Sequence, residues 1–124
     1  MRSALLAIAV AGCRIAAADP DCDSALAPPP GADRLCDEHV MAKDSEIHWT
    51  SFATTAARSD VDARYGKLVG TCGITGKVKP DLDLARGDQH LATFDATSHV
   101  YPTCGTAAKS GARTVIVIST LMHR

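Results

Sequence analysis

Apolar and polar residues recur with different periods in the two halves of the chain. Residues 32–42 and 44–59 carry apolar side chains three or four positions apart, which predicts two helical segments. The apolar positions are Leu35, Val40 and Met41 in the first segment and Trp49, Phe52, Ala53 and Ala56 in the second. We expect Trp49 and Phe52 to form the packing face of the second helix rather than a platform for a ligand.

The back half alternates with a period of two, which is typical of strands with one buried side. Residues 68–79 form the first predicted strand, and three glycines within it would let the strand bend as a small barrel requires. Residues 80–89 are a predicted turn-rich connection, residues 90–96 and 99–104 a hairpin, and residues 114–122 a central strand. The expected fold class is α+β, with one or two N-terminal helices followed by a small antiparallel β-barrel of about five strands.

A set of positions in the back half resembles a known family. The positions are Asp62, Tyr65, Gly66, Lys67, Gly73, Val78, Gly111, Val115, Ile116 and Val117. This pattern is similar to that of exported bacterial oligonucleotide/oligosaccharide-binding (OB) fold proteins of the anticodon-binding-like type. The resemblance implies an OB-like barrel behind the helical segment. No ligand motif of that family is present, so the resemblance implies no ligand residues.

Nucleic acid is not an expected partner of such a barrel. OB-folds that bind single strands stack bases on aromatic side chains within a basic groove. The back half has only Tyr65, Phe94 and Tyr101 as aromatic residues, and Phe94 lies on the predicted inward side. Export would also separate the chain from most nucleic acids.

The N-terminal residues 1–13 resemble a bacterial lipoprotein signal. Arg2 precedes the apolar run of residues 4–11, which as a helix would be only about 12 Å long and too short to span a bilayer. The sequence Val-Ala-Gly-Cys ending at Cys13 is similar to a lipobox, which implies that Cys13 is diacylated and becomes the mature N-terminus. The protein would then be anchored by lipid at the outer membrane or in the periplasm.

Two alternatives to lipidation remain open at this stage. Cleavage after Ala18 would release a soluble protein, although Arg14 is a poor residue to have so close to that cut. An uncleaved apolar segment is the other alternative. Residues 14–31, rich in Asp, Ala and Pro, are predicted to be a linker that lifts the domain off the membrane, and residues 32–124 a single small domain.

Four cysteines remain when Cys13 is set aside, and an even number in a small exported domain predicts two disulfides. They are Cys22, Cys36, Cys72 and Cys104. Three connectivities are possible, and proximity in sequence favours the pairs Cys22–Cys36 and Cys72–Cys104. A metal site made by these cysteines is disfavoured because the chain has no C-x-x-C or H-x-x-x-H pair.

The remaining candidate chemistry is sparse. His90 and His99 would face each other across the predicted hairpin and offer two metal ligands, but no third ligand accompanies them, so we predict no metal ion and no cofactor. No G-x-S-x-G motif is present, and we nominate no catalytic residue. The net charge of −1, with acids concentrated in the front half and bases in the back half, indicates no general partner.

These observations predict an exported envelope lipoprotein with a non-catalytic role. Its partners would be the membrane, through the N-terminal lipid, and either an envelope protein or a small ligand. The alternative function is that of a soluble secreted small enzyme or enzyme inhibitor, which would follow from cleavage after Ala18.

Overall fold

The computed structural model describes residues 22–98 and 100–123, and its main feature is an open, six-stranded antiparallel sheet. The strands are β1 (Asp33–Met41), β2 (Ser45–Thr54), β3 (Thr75–Lys77), β4 (Asp83–Arg86), β5 (Gln89–Asp95) and β6 (Thr114–His123), and the helix α1 spans Arg58–Gly66. A short 3₁₀ turn, Cys22–Ser24, begins the described chain. The strand order across the sheet is β1-β2-β6-β5-β4-β3.

This architecture shows that the predicted fold class is wrong. The sheet is open rather than closed into an OB-like barrel, and within residues 22–57 the structure has strands where helices were expected. The spacing of Trp49 and Phe52 fits a helix only by coincidence. Between residues 47 and 54, β-branched and aromatic residues dominate, and these favour the pleated surface of a sheet over a helix. The helix α1 instead starts at Arg58, where the predicted helix was expected to end.

The back-half strands were predicted with mixed success. Strands β5 and β6 lie where residues 90–96 and 114–122 predicted them, and β6 is a central strand with a largely buried sequence. Within the predicted strand 68–79, only β3 is a strand. Residues 68–74 instead fold into successive turns, one of which is closed by a 2.9 Å hydrogen bond from the Gly70 N–H to the Ile74 carbonyl. Strand β4 lies in the predicted connection, and residues 100–104 form no strand.

One face of the sheet packs against α1 and the N-terminal turn. The buried residues of this core are Leu26, Val61, Tyr65, Ile74, Leu82, Leu84, Leu91, Ile116 and Ile118. Leu26 is only 2% exposed, and the Tyr65 hydroxyl donates a 2.5 Å hydrogen bond to the Ala27 carbonyl. The second half of the expected linker, residues 22–31, therefore contributes to the folded domain.

The opposite face of the sheet lies against residues 100–113. The Tyr101 ring contacts Phe94 at a centroid distance of 6.1 Å, and Cys104 is joined to Cys36 of β1. On the other side, Arg58 ties the start of α1 to β5 through a 2.9 Å bond to the Thr93 carbonyl. Among the described residues, neither covering reaches the end of the sheet nearest the β1–β2 turn, and Val40 and Met41 there are more than half exposed.

Two disulfides cross-link the domain, as predicted, but the connectivity favoured by sequence proximity is wrong. The pairs are Cys22–Cys72 and Cys36–Cys104, which are 50 and 68 residues apart. Proximity in sequence misleads here because the sheet brings distant segments together. Since disulfides persist in oxidising compartments, the two bonds indicate an extracytoplasmic location. No helix in the described part of the chain is long and apolar enough to span a membrane.

Candidate metal centre

The hairpin of β1 and β2 gathers two histidines and two carboxylates on one face. Alternate residues of a strand point to the same side, so Asp37 and His39 of β1 share a face with Glu46 and His48 of β2. His39 and His48 are direct cross-strand partners, and Asp37 lies two pairs further along, opposite Thr50. Strand β2 is held by β6 on its other side, so the hairpin is part of the sheet and not a free arm.

The two imidazoles are close enough to share one ion. Their ring centroids are 4.4 Å apart and their planes differ by 14°. One donor atom from each of Asp37, His39 and His48 lies within 4.8 Å of the others. Two nitrogen or oxygen ligands of one zinc ion, each about 2.1 Å from it, can be no more than about 4.2 Å apart. Small side-chain rotations therefore suffice to close the group around a metal.

Each imidazole is also paired with a carboxylate. His48 Nε2 lies 2.5 Å from Asp37 Oδ1, and His39 Nδ1 forms a hydrogen bond with the Glu46 carboxylate. Metal-binding histidines commonly use one ring nitrogen for the ion and the other for a carboxylate, which orients the ring. The pairing leaves Nε2 of His39 and Nδ1 of His48 as the nitrogens that these carboxylates do not engage.

Asp37 is an ionised carboxylate within the cluster, and the neighbouring guanidinium of Arg34 partly neutralises it. The hydrogen bond with His48 lowers the pKa of Asp37 below its ordinary value, with a smaller contribution from Arg34. Arg34 Nη1 lies 3.3 Å from the second carboxylate oxygen of Asp37. An ionised Asp37 beside two imidazoles is a mixed nitrogen and oxygen donor set, which suits Zn²⁺, Cu²⁺ or Ni²⁺ better than Mg²⁺ or Ca²⁺.

Sequence reasoning did not find this cluster. Two separate helices would have placed residues 37–39 and 46–48 on different surfaces, whereas a hairpin brings them together. A usable signal was present: D-x-H and E-x-H each place their polar pair two residues apart, on either side of the short polar turn 42–44. That period of two is the mark of one face of a strand.

Of the two histidines that the sequence suggested, the structure describes only His90. His90 is an exposed residue of β5, with Ala85 and Ser119 as its cross-strand partners. His99 and the predicted lipidation site Cys13 lie outside the described residues.

A second polar group surrounds Arg58, next to a cavity of about 460 Å³ whose lining includes Leu82, Phe94 and Val100. Arg58 pairs with Asp81 at 3.0 Å and with Asp95 at 3.5 Å. These bonds join α1, β5 and the segment before β4. The cationic side chain is used in joining these elements, and we assign the group a structural role.

Comparison with known proteins provides no further guide to the function. No protein-family model, no curated protein and no solved structure matches this chain.

Proposed function

We propose that this protein is an extracytoplasmic, non-catalytic binding protein whose ligand is a divalent transition-metal ion. The ion would be held by His39, His48 and Asp37, with Glu46 orienting the ring of His39. The observation that carries the proposal is the direct opposition of the two histidines on neighbouring strands, each with its own carboxylate partner.

The donor set leads us to expect an order of metals. For mixed imidazole and carboxylate sites, affinity rises from Mn²⁺ to Cu²⁺ and falls again at Zn²⁺. The site would therefore bind Cu²⁺ most tightly and Zn²⁺ or Ni²⁺ less tightly. Ca²⁺ and Mg²⁺ prefer cages of oxygen ligands and should bind weakly at a site with two imidazoles.

We further propose that the protein is attached to the cell envelope through a lipid on Cys13. Support comes from the similarity of residues 10–13 to a lipobox and from the disulfides, which fit an exported protein. Mass spectrometry of the mature N-terminus tests this part separately. A diacylglyceryl group on Cys13 would support it, and an N-terminus at Asp19 would replace it with a soluble secreted protein.

Isothermal titration calorimetry with Cu²⁺, Zn²⁺ and Mg²⁺ tests metal binding, using protein without a histidine tag. We expect one transition-metal ion per chain and at least a tenfold loss of affinity in His39→Gln and in His48→Gln. The matched control is His90→Gln, because His90 is also an exposed strand histidine but lies outside the cluster. Equal affinity in the wild type and both cluster variants would refute the proposed site.

A further inference from the structure

We infer that the uncovered end of the sheet docks onto the surface of a phospholipid bilayer. We call this surface the apolar tip and define it as Val40, Met41, Ile47, Leu121 and Met122. The inference rests on the lipid anchor of the proposed function, and it does not require a bound metal ion.

The apolar tip gathers most of the exposed apolar side chains of the described chain. Six large hydrophobic residues are exposed in the described part of the chain. Four of them belong to the tip, namely Val40 (52%), Met41 (58%), Ile47 (39%) and Met122 (36%). The register explains the clustering, because Ile47 is paired with Val40 on one side and with Leu121 on the other. An exposed apolar cluster on a small domain commonly marks an interaction surface.

The distribution of these residues between the two faces favours a fluid partner. Val40, Ile47 and Leu121 lie on one face of the sheet, whereas Met41 and Met122 lie on the other, on either side of Glu46. A flat protein surface would contact only one of these two faces. A lipid interface can surround the end of a sheet and contact both faces, as apolar side chains at a membrane interface do.

The charges near the tip specify the type of bilayer. Glu46 and Asp44 lie at the β1–β2 turn together with the single cation Lys43, and Glu38 is the cross-strand partner of Trp49. This balance offers no attraction to anionic headgroups, which are usually recognised by clusters of Lys and Arg. We therefore expect docking on zwitterionic lipid, driven by apolar contact.

The position at which the chain enters the domain supports this orientation. Cys22 is bonded to Cys72, and the Cys72 carbonyl accepts a 3.0 Å hydrogen bond from Arg86, the last residue of β4. By register, that end of β4 lies at the same end of the sheet as Leu121, whose N–H bonds the carbonyl of Asp88. Nine residues from Cys13 to Cys22 reach at most about 30 Å. A lipid on Cys13 would thus hold this end of the sheet close to the bilayer.

Trp49 provides the test, because it is the only tryptophan of the chain and lies on the same face as Ile47, two residues away. The lipidated full-length protein is reconstituted into phosphatidylcholine vesicles that carry brominated acyl chains, and Trp49 emission is compared with that in unbrominated vesicles. We expect at least a twofold quenching in the wild type. The variant Val40→Ser/Ile47→Ser should lose most of this quenching, whereas the control Val100→Ser, altered at an exposed residue outside the tip, should retain it.

The outcomes separate docking from anchoring. Protein that floats with the vesicles while its Trp49 emission is unquenched would overturn docking and leave the anchor intact. Protein that does not float with the vesicles would overturn both. Equal quenching in the wild type and the double serine variant would also overturn the inference. A shift of Trp49 emission that depends only on protein concentration would overturn it as well, because it would identify a second copy of the chain as the occupant of the tip.

Discussion

His39 and His48 face each other across the β1–β2 hairpin, with ring centroids 4.4 Å apart and planes 14° from parallel. Each ring is held by a carboxylate from the neighbouring strand, His39 by Glu46 and His48 by Asp37. The folding of the sheet meets part of the cost of ordering the two imidazoles, and side-chain rotations remain to direct both nitrogens at one ion.

Removing the Cys22–Cys72 disulfide should strongly destabilise the domain. Cross-linking residues 50 positions apart restricts the unfolded chain, and the corresponding entropy is worth about 4 kcal/mol. We expect Cys22→Ser/Cys72→Ser to lower the free energy of unfolding by up to that amount in urea titrations followed by circular dichroism. Digestion without reductant should recover the peptides of Cys22 and Cys72 linked together, whereas a Cys22–Cys36 peptide would contradict the fold.

Tyr65 should make the fold sensitive to alkali. Burial raises the pKa of Tyr65 to about 12, and its hydroxyl donates to the Ala27 carbonyl. A raised pKa means that the folded state favours the neutral phenol. The corresponding stability, about 2–3 kcal/mol, is therefore complete below pH 10 and is lost as the pH rises from about 10 towards 12.

The variant Tyr65→Phe isolates this effect. The missing hydrogen bond should lower the free energy of unfolding by about 1 kcal/mol at neutral pH. Between pH 10 and 12 the free energy of unfolding of the variant should fall less with pH than that of the wild type. The measurement is the free energy of unfolding as a function of pH for both proteins. Parallel pH profiles would show that Tyr65 is not the group responsible.

Gly76 should not tolerate even alanine. A Cβ at this position would lie 2.2 Å from the Asp83 carbonyl oxygen and 2.9 Å from Leu84 Cα, both of which belong to the paired backbone of β4. Gly76→Ala should therefore disrupt the β3–β4 pairing and lower the melting temperature markedly. Gly73→Ala is the matched control, because Gly73 also has a positive φ but has open space around it, so that only about 1 kcal/mol of backbone strain is expected. Equal losses of melting temperature in the two variants would argue against the close approach of Gly76 to β4.

The sequence predicted those elements whose local signal is unambiguous. Strand β6, with Val115 to Ile118 in one run, and the alternating strand β5 were both found because β-branched residues and a period of two agree there. The front hairpin was not found, because Trp49, Phe52 and Ala53 satisfy a helical spacing and a strand pattern at once. Local periodicity cannot decide such a case, and here the pairing of β2 with β6 along ten residues decides it.

The candidate site could not be predicted because it depends on that same decision. Whether Asp37, His39 and His48 share a face follows from the strand assignment, and the residues are neighbours only through the β1–β2 register. The disulfide partners Cys36 and Cys104 depend likewise on how residues 100–113 fold back over the sheet. Both features follow from long-range topology, which composition and spacing do not contain.

Electron paramagnetic resonance of the protein loaded with one equivalent of Cu²⁺ tests the central claim most directly. The nitrogen hyperfine structure counts the imidazoles bound to the metal. We expect two coordinated imidazole nitrogens in the wild type and in His90→Gln, and one in either His39→Gln or His48→Gln. A spectrum that is the same in the wild type and in both cluster variants would contradict the assignment of this hairpin as a metal site.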